Sequence, residues 1–382
     1  MAPSRGLYAL LRRSQSRPNW AVQSFRRFSE LARIATDTSR RSLVFISRLT
    51  DPYINLSIEH YLLQKTPPES KVLFLYVNRP CVVLGRNQNP WVEANLPFLS
   101  ANRVDLVRRR SGGGTVFHDL GNVNYSVICP ISMFDRDTHA QMVVRALQKV
   151  GGKHTRVNER HDIVQDMNEP GLNKEDRFEG DLRPFKVSGS AYKLTRLRSL
   201  HHGTCLLHSE NLPRIDQYLK SLVKKYITAR GVDSVRSNVA NVIPKLDNDA
   251  FIKAVIDQWH DLYGQEGGEL QIHEADNYAD VPEVMKGCAE LMSPEWIYGQ
   301  TPQFTYGRRT EKGKNLEFTA RNGVITEATL RSQSNLDSNQ ALSDRLTGSV
   351  LYDTMLQAKT PFAEILYDRK PDDVLDSLRL SL

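Results

Sequence analysis

Cysteine is scarce in this 382-residue chain: Cys81, Cys129, Cys205 and Cys288 lie far apart, with no CxxC pair. That spacing argues against a zinc knuckle or a disulfide framework and suits a reducing compartment. Long apolar runs are also missing. No window approaches the roughly 18 consecutive apolar residues that a membrane span needs, so no membrane role is expected. There is no internal repeat. Charge imbalance is absent from most of the chain. The formal charge is +7, yet residues 1–41 hold nine arginines and two acids, and the rest holds 42 basic and 42 acidic residues. A basic nucleic-acid-binding face is therefore not indicated, and no nucleic-acid partner is expected.

The leader itself is rich in Arg and Ser and has no acid before Glu30. Leu7, Leu10, Leu11, Trp20, Val22 and Phe25 can line one side of a helix, which is the pattern of a mitochondrial transit peptide. Arg26-Arg27-Phe28-Ser29 resembles a matrix-processing site, with cleavage near Phe28. The expected location is the mitochondrial matrix. Residues 1–41 are taken as this leader and the folded part as starting at Ser42.

Apolar periodicity then gives a short strand at 43–46 and a helix over 52–65, opened by Asp51-Pro52. Strands are expected at 72–77, 81–85 and 122–128, with a helix at 138–150. The class is α+β with a mixed or antiparallel sheet. Residues 166–183 are acidic and poor in packing residues, and read as a surface loop. A helix-rich stretch is expected at 212–263, then a polar connection at 264–290. The division is a catalytic unit over 42–289 and a small α+β accessory unit over 290–382.

Three runs can carry chemistry. In Arg108-Arg109-Arg110-Ser111-Gly112-Gly113-Gly114-Thr115-Val116-Phe117-His118, fixed positive charge adjoins a backbone that can approach a ligand closely. Successive glycine N–H groups can form an anion-holding concavity. The run is neither the Walker A pattern nor the dinucleotide fingerprint, and a solvated hairpin turn has the same composition. Lys186, in Phe185-Lys186-Val187-Ser188-Gly189, can neutralise a transferring group, or can simply be an edge-strand lysine. Cys205 can be a nucleophile or a buried small hydrophobe. Asp162 offers one carboxylate, enough to meet Mg2+ only together with substrate phosphates.

Taken in order, these segments resemble the lipoate-protein ligase A family. The resemblance rests on DPYINLSIE (51–59), VLFLYVNRPCVVLGRNQNPW (72–91), RRRSGGGTVFHDLGN (108–122), DIV (162–164), KVSGSAY (186–192), HHGTCLL (201–207), SVRSN (234–238) and EWIYGQ (295–300). It implies a biotin/lipoate-ligase-type catalytic domain that adenylates lipoate with ATP and passes the acyl group to a lysine. The acceptors would be lipoyl domains of 2-oxoacid dehydrogenase complexes and glycine-cleavage H-type protein. It also implies that Arg109, Gly114, Thr115, Val116 and Phe117 contact ATP, that Lys186 contacts ATP and the acyl group, and that Asp162 stands near Mg2+. His161 and Arg110 depart from the family's usual asparagine and serine.

Strand alternation offers Leu75, Val77, Val83 and Leu84 as an apolar slot for the lipoyl chain. The main rival is an acyltransferase of the same fold that takes an octanoyl or lipoyl group from a CoA or protein thioester without ATP. Biotin ligation lacks its glycine-arginine run here. A non-catalytic scaffold would tolerate loss of Lys186.

Overall fold

Asp51 shows how local sequence sets an element. Its backbone is extended, and its carboxylate accepts hydrogen bonds from the N–H groups of Tyr53 (2.9 Å) and Ile54 (3.1 Å). Pro52 takes the first helical position, where it needs no N–H partner, and helix Pro52–Lys65 follows. The computed structural model describes residues 30–168, 182–264, 272–276, 278–309, 315–331 and 336–352. Among them no helix is long and apolar enough to cross a membrane.

In chain order the strands are β1 (Ser42–Ile46), β2 (Lys71–Val77), β3 (Cys81–Leu84), β4 (Asp105–Arg108), β5 (Val116–His118) and β6 (Asn122–Pro130). They continue with β7 (Thr155–Val157), β8 (Ile163–Met167), β9 (Arg183–Ser188), β10 (Ser190–Leu194) and β11 (Arg198–Leu206). Last come β12 (Ile227–Ala229), β13 (Ile272–Glu274), β14 (Phe304–Arg309), β15 (Asn315–Arg321) and β16 (Val324–Arg331).

The main sheet runs β10-β11-β6-β2-β1-β13, antiparallel except for β1, which lies parallel to both β2 and β13. Alternating residues choose its faces. Leu73, Leu75, Val123, Tyr125 and Val127 pack against helices Arg136–Lys149 and Asn248–Tyr263. Phe45, Val72, Phe74 and Ile128 pack against Ile58 and Leu62 of helix Pro52–Lys65. Each such side chain, fully buried, contributes roughly 1.5–3 kcal/mol. The architecture is the expected mixed α+β class. Two three-stranded sheets, β4-β3-β5 and β7-β8-β9, stand beside the main one and carry the motifs.

Several expectations change. Helix Glu30–Ala35 buries Leu31, Ile34 and Ala35 in the same cluster as Phe45, so the fold begins before Ser42. Within 212–263 only Ile215–Leu219 and Asn248–Tyr263 are α-helical, and residues 230–247 form an irregular strap. The 264–290 connection supplies β13 and helix Pro282–Met292. Most of the acidic loop, residues 169–181, lies outside the described residues, as does the leader through residue 29.

The C-terminal sheet runs β12-β14-β15-β16, so its first strand comes from residues on the other side of the expected boundary at 290. Trp91, Phe98 and Tyr218 share one buried cluster with Phe304, Tyr306 and Phe318. The two units meet through apolar core, not through a polar linker.

Candidate active site

The glycine loop is held from beneath. Gly85 follows β3 where the loop passes so close that a Cβ there would lie 2.0 Å from the Gly113 carbonyl oxygen. Only glycine allows that approach. Arg109, which is buried, donates through Nε to Ser111 Oγ (3.0 Å) and through Nη1 to the Val83 carbonyl (3.1 Å). Its Nη2 reaches the Gly112 (2.6 Å) and Gly114 (2.8 Å) carbonyls. Burial pushes this guanidinium down to about 10, against the pull of Glu59. With the carbonyls turned toward Arg109, the N–H groups of Gly112, Gly113 and Gly114 have no partner among the described residues. That is the anion-holding arrangement.

Beneath Arg109 lies a buried pair. Glu59 Oε2 stands 2.9 Å from His202 Nδ1, and His202 Nε2 stands 2.7 Å from Ser111 Oγ. Glu59 also accepts from Ser126 and from Tyr76 Oη (3.3 Å). Burial raises its pKa, but His202 and these hydrogen bonds outweigh that and leave it below the ordinary carboxylate value. Glu59 thus braces the loop through His202 and Ser111. The neighbouring His118 is pushed down to about 3 by burial and by the charge of Arg109.

Lys186 lies on β9, an edge strand, as the plainer reading of the sequence had it. The edge is nonetheless covered. Its N–H donates to the Asn238 carbonyl (2.8 Å) and its carbonyl accepts from Ala240 (3.1 Å), which ties β9 to the strap. The ammonium is 2.8 Å from Asp162 Oδ1, with both side chains largely buried. Gly189 makes room for it: a Cβ there would meet Lys186 Cε and Nζ at 2.8 Å.

A cavity of about 1140 Å³ opens beside this pair. Lys186, Gly189, Thr115 and Asn122 form its polar wall, and Val116, Phe117, Leu206, Ile215 and Leu219 an apolar one. Ser234 closes one side, accepting from the Thr115 N–H (2.8 Å) and from Gln88 Nε2 (3.0 Å). Val77 lines no part of it, and neither do Leu75, Val83 and Leu84. The last three are 0–1 % exposed and packed in three separate core clusters. The apolar slot expected from them is corrected to the Val116–Phe117 and 206–219 wall, because strands covered on both faces hide which alternation meets a cavity.

Of the sequence candidates, Lys186, Thr115, Val116 and Phe117 line the cavity, and Gly114 abuts Ser234. Arg109 sits behind the loop. Asp162 adjoins Lys186 as a single carboxylate. Among the described residues no group of three or more His, Cys, Asp or Glu side chains could hold a metal. An ion here would therefore need phosphate oxygens and water to complete its shell, which Mg2+ accepts. Sequence reasoning missed Glu59 and Gln88, and gave Ser234 no role; only the positions of their runs beside the glycine run hinted at them. Cys205 is fully buried, and burial pushes its thiol well above the usual range.

Fold and site together define a catalytic domain built around a glycine loop and a buried lysine. The family model for the lipoyl protein ligase A/B catalytic domain matches residues 51–262. The "Putative lipoate-protein ligase A" of Schizosaccharomyces pombe is 40% identical over 281 residues, covering 68% of this chain and 72% of its own. The chain belongs to the lipoate-protein ligase family. Two solved structures share the fold. P. falciparum LipL1, in complex with lipoate, has a TM-score of 0.55 at 23% identity and covers 88% of this chain and 98% of its own. A lipoate-protein ligase A bound with ATP has a TM-score of 0.51 at 20% identity, covering 68% and 98%.

Proposed function

We propose that this protein adenylates lipoate or octanoate with ATP and transfers the acyl group to a lysine of lipoyl-accepting domains in the mitochondrial matrix. The observation that carries this reading is the Lys186 ammonium, held by Asp162 at the wall of a half-apolar cavity that the glycine loop joins at Thr115, Val116 and Phe117. A carboxylate and a triphosphate repel each other, so their reaction needs cationic and N–H donors fixed in advance. Lys186 supplies the charge and the loop supplies the donors. The apolar wall takes the acyl chain and limits water around a hydrolysable mixed anhydride. Mg2+, when bound beside Asp162, neutralises phosphate charge. Lys186 then polarises the acyl carbonyl while the acceptor amine attacks. It serves as an electrostatic clamp, since an amide formed on it would be inert. One solved structure of the same fold supports acceptors of this type: it belongs to an archaeal lipoylation system, a bi-partite lipoate protein ligase and its E2 lipoyl domain from Thermoplasma acidophilum. Arg-rich residues 1–29 support matrix delivery.

The deciding experiment is ATP–pyrophosphate exchange by the full chain, with and without lipoate or octanoate. Acid-dependent exchange is expected; exchange indifferent to the acid would exclude adenylation. An ATP-independent acyltransferase is the second reading, but a thiol route through Cys205 is disfavoured by the burial of that side chain.

A further inference from the structure

Beside the glycine loop stands a second group of cations that the reading above does not use. Arg110 follows Arg109 into the loop, and Arg86, whose N–H donates to the Ser111 carbonyl (2.8 Å), leaves β3 beside it. Both guanidiniums lie over the Trp296 ring, at 4.6 Å for Arg86 and 4.8 Å for Arg110. Lys193 arrives on β10, two residues and therefore one same-face step beyond Ala191, whose Cβ would touch a Cβ at Gly113 (3.1 Å). His60 faces the same group from helix Pro52–Lys65.

Acids are few here. Glu290 pairs with Arg110 (2.6 Å) from helix Pro282–Met292, and Glu59 acts from below while engaged with His202. Arg86 is satisfied by Gln300 Oε1 (3.0 Å), a neutral partner, and Lys193 has no hydrogen-bond or ion-pair partner among the described residues. The Nε of Arg110 is buried without a partner. Burial first, then the charges of Arg110 and Arg86, hold the half-buried Lys193 ammonium below its ordinary pKa. Stacking on Trp296 accounts for the two arginines as anchors of the C-terminal unit. It leaves Lys193 unexplained. The loop has open space at its first glycine: a Cβ at Gly112 would meet nothing within 4 Å.

We infer that Arg86, Arg110 and Lys193, with the N–H groups of the glycine loop, form a subsite for a diphosphate, the leaving half of the nucleotide. The inference rests on the adenylating reading. In that step a carboxylate oxygen bonds to the α-phosphorus, the bond from that phosphorus to the β-bridging oxygen breaks, and pyrophosphate departs with the electron pair. Surplus cations beside the loop stabilise the charge that builds on the departing group. They also set how firmly the product is retained.

The test is calorimetric titration of the full chain with inorganic pyrophosphate, for the native protein and for Lys193→Met and Arg110→Ser. Lys193→Met keeps the aliphatic stem, so it guards against an Arg110→Ser protein that fails to fold. Each variant is expected to bind pyrophosphate on the order of tenfold more weakly. In exchange assays the KM for pyrophosphate should rise by a similar factor while the KM for lipoate stays put. Native-like pyrophosphate affinity in Lys193→Met would overturn the subsite. Pyrophosphate binding that the variants weaken, in a protein showing no acid-dependent exchange, would support the subsite and count against adenylation instead.

Discussion

Lys186→Met keeps the buried stem and removes the charge that Asp162 holds at 2.8 Å. Loss of a preorganised charge at a reacting centre costs about 10²–10³-fold in rate, so acyl-adenylate formation, followed by chromatography of the nucleotide product, should fall by that order. Gly189→Ala tests position alone. Its methyl would meet the ammonium at 2.8 Å and displace it, and turnover should drop while the thermal midpoint barely moves. Cys205→Ala should leave acyl transfer to an apo acceptor domain intact; abolished transfer with normal adenylate formation would instead revive the thioester route. At this scale the glycine run stands out by composition, whereas Lys186 by composition alone reads as an edge-strand lysine and is set apart only by the resemblance of its run to the family. The sequence concealed what Arg109 does. A side chain that turns inward to satisfy its own loop's carbonyls has the same letter as one that points at a phosphate.

The elements that brace the loop are joined by contacts far apart in sequence, Glu59 in a helix and His202 in β11, and no local pattern announces such a pair. Acid should reveal it and its neighbours. His118 and His201 are pushed down to about 3 and His139 to about 4, in each case chiefly by burial. Unfolded histidines near 6.5 bind protons first, so each such group withdraws up to about 1.4 kcal/mol of stability per pH unit as pH falls from 6.5 toward its folded value. Glu59, whose folded pKa is depressed, adds stability above the ordinary carboxylate range and loses it at lower pH still. Urea midpoints should therefore decline already between pH 6.5 and 5. His201→Leu should flatten that decline, and an unchanged slope would remove His201 from the explanation. β1, β2, β3 and β6 and the helices Pro52–Lys65 and Arg136–Lys149 were legible from periodicity and caps. The strap at 230–247 was not, since its backbone follows the site and β9 in place of any repeat.

For the whole molecule, the expected boundary at 290 predicts a separable accessory unit, and the packing argues otherwise. Arg108 is fully buried and donates to the carbonyls of Arg86 (2.8 Å), Gln88 (2.7 Å) and Ile297 (2.7 Å) and to Thr301 Oγ1 (3.1 Å). Trp296 Nε1 donates back to the Arg108 carbonyl (2.8 Å). A chain ended after residue 289 removes two of those partners and bares Trp91 and Phe98, apolar side chains whose burial is worth roughly 1.5–3 kcal/mol each. It should aggregate or unfold at a clearly lower urea midpoint, as gel filtration and denaturation would show; a native midpoint would establish two independent units. The division was misread because charge and proline content mark a linker by composition, whereas β12 crosses it by pairing.

β13 carries a consequence of another kind. It completes the main sheet by lying parallel to β1, from more than two hundred residues downstream. While the chain emerges from a ribosome or threads into a compartment, the outer edge of β1 stays bare until residue 274 has arrived. During that interval the edge is a template for any passing strand. A nascent-chain partner that shields such edges should then be needed for most of this protein's synthesis and released only near its end.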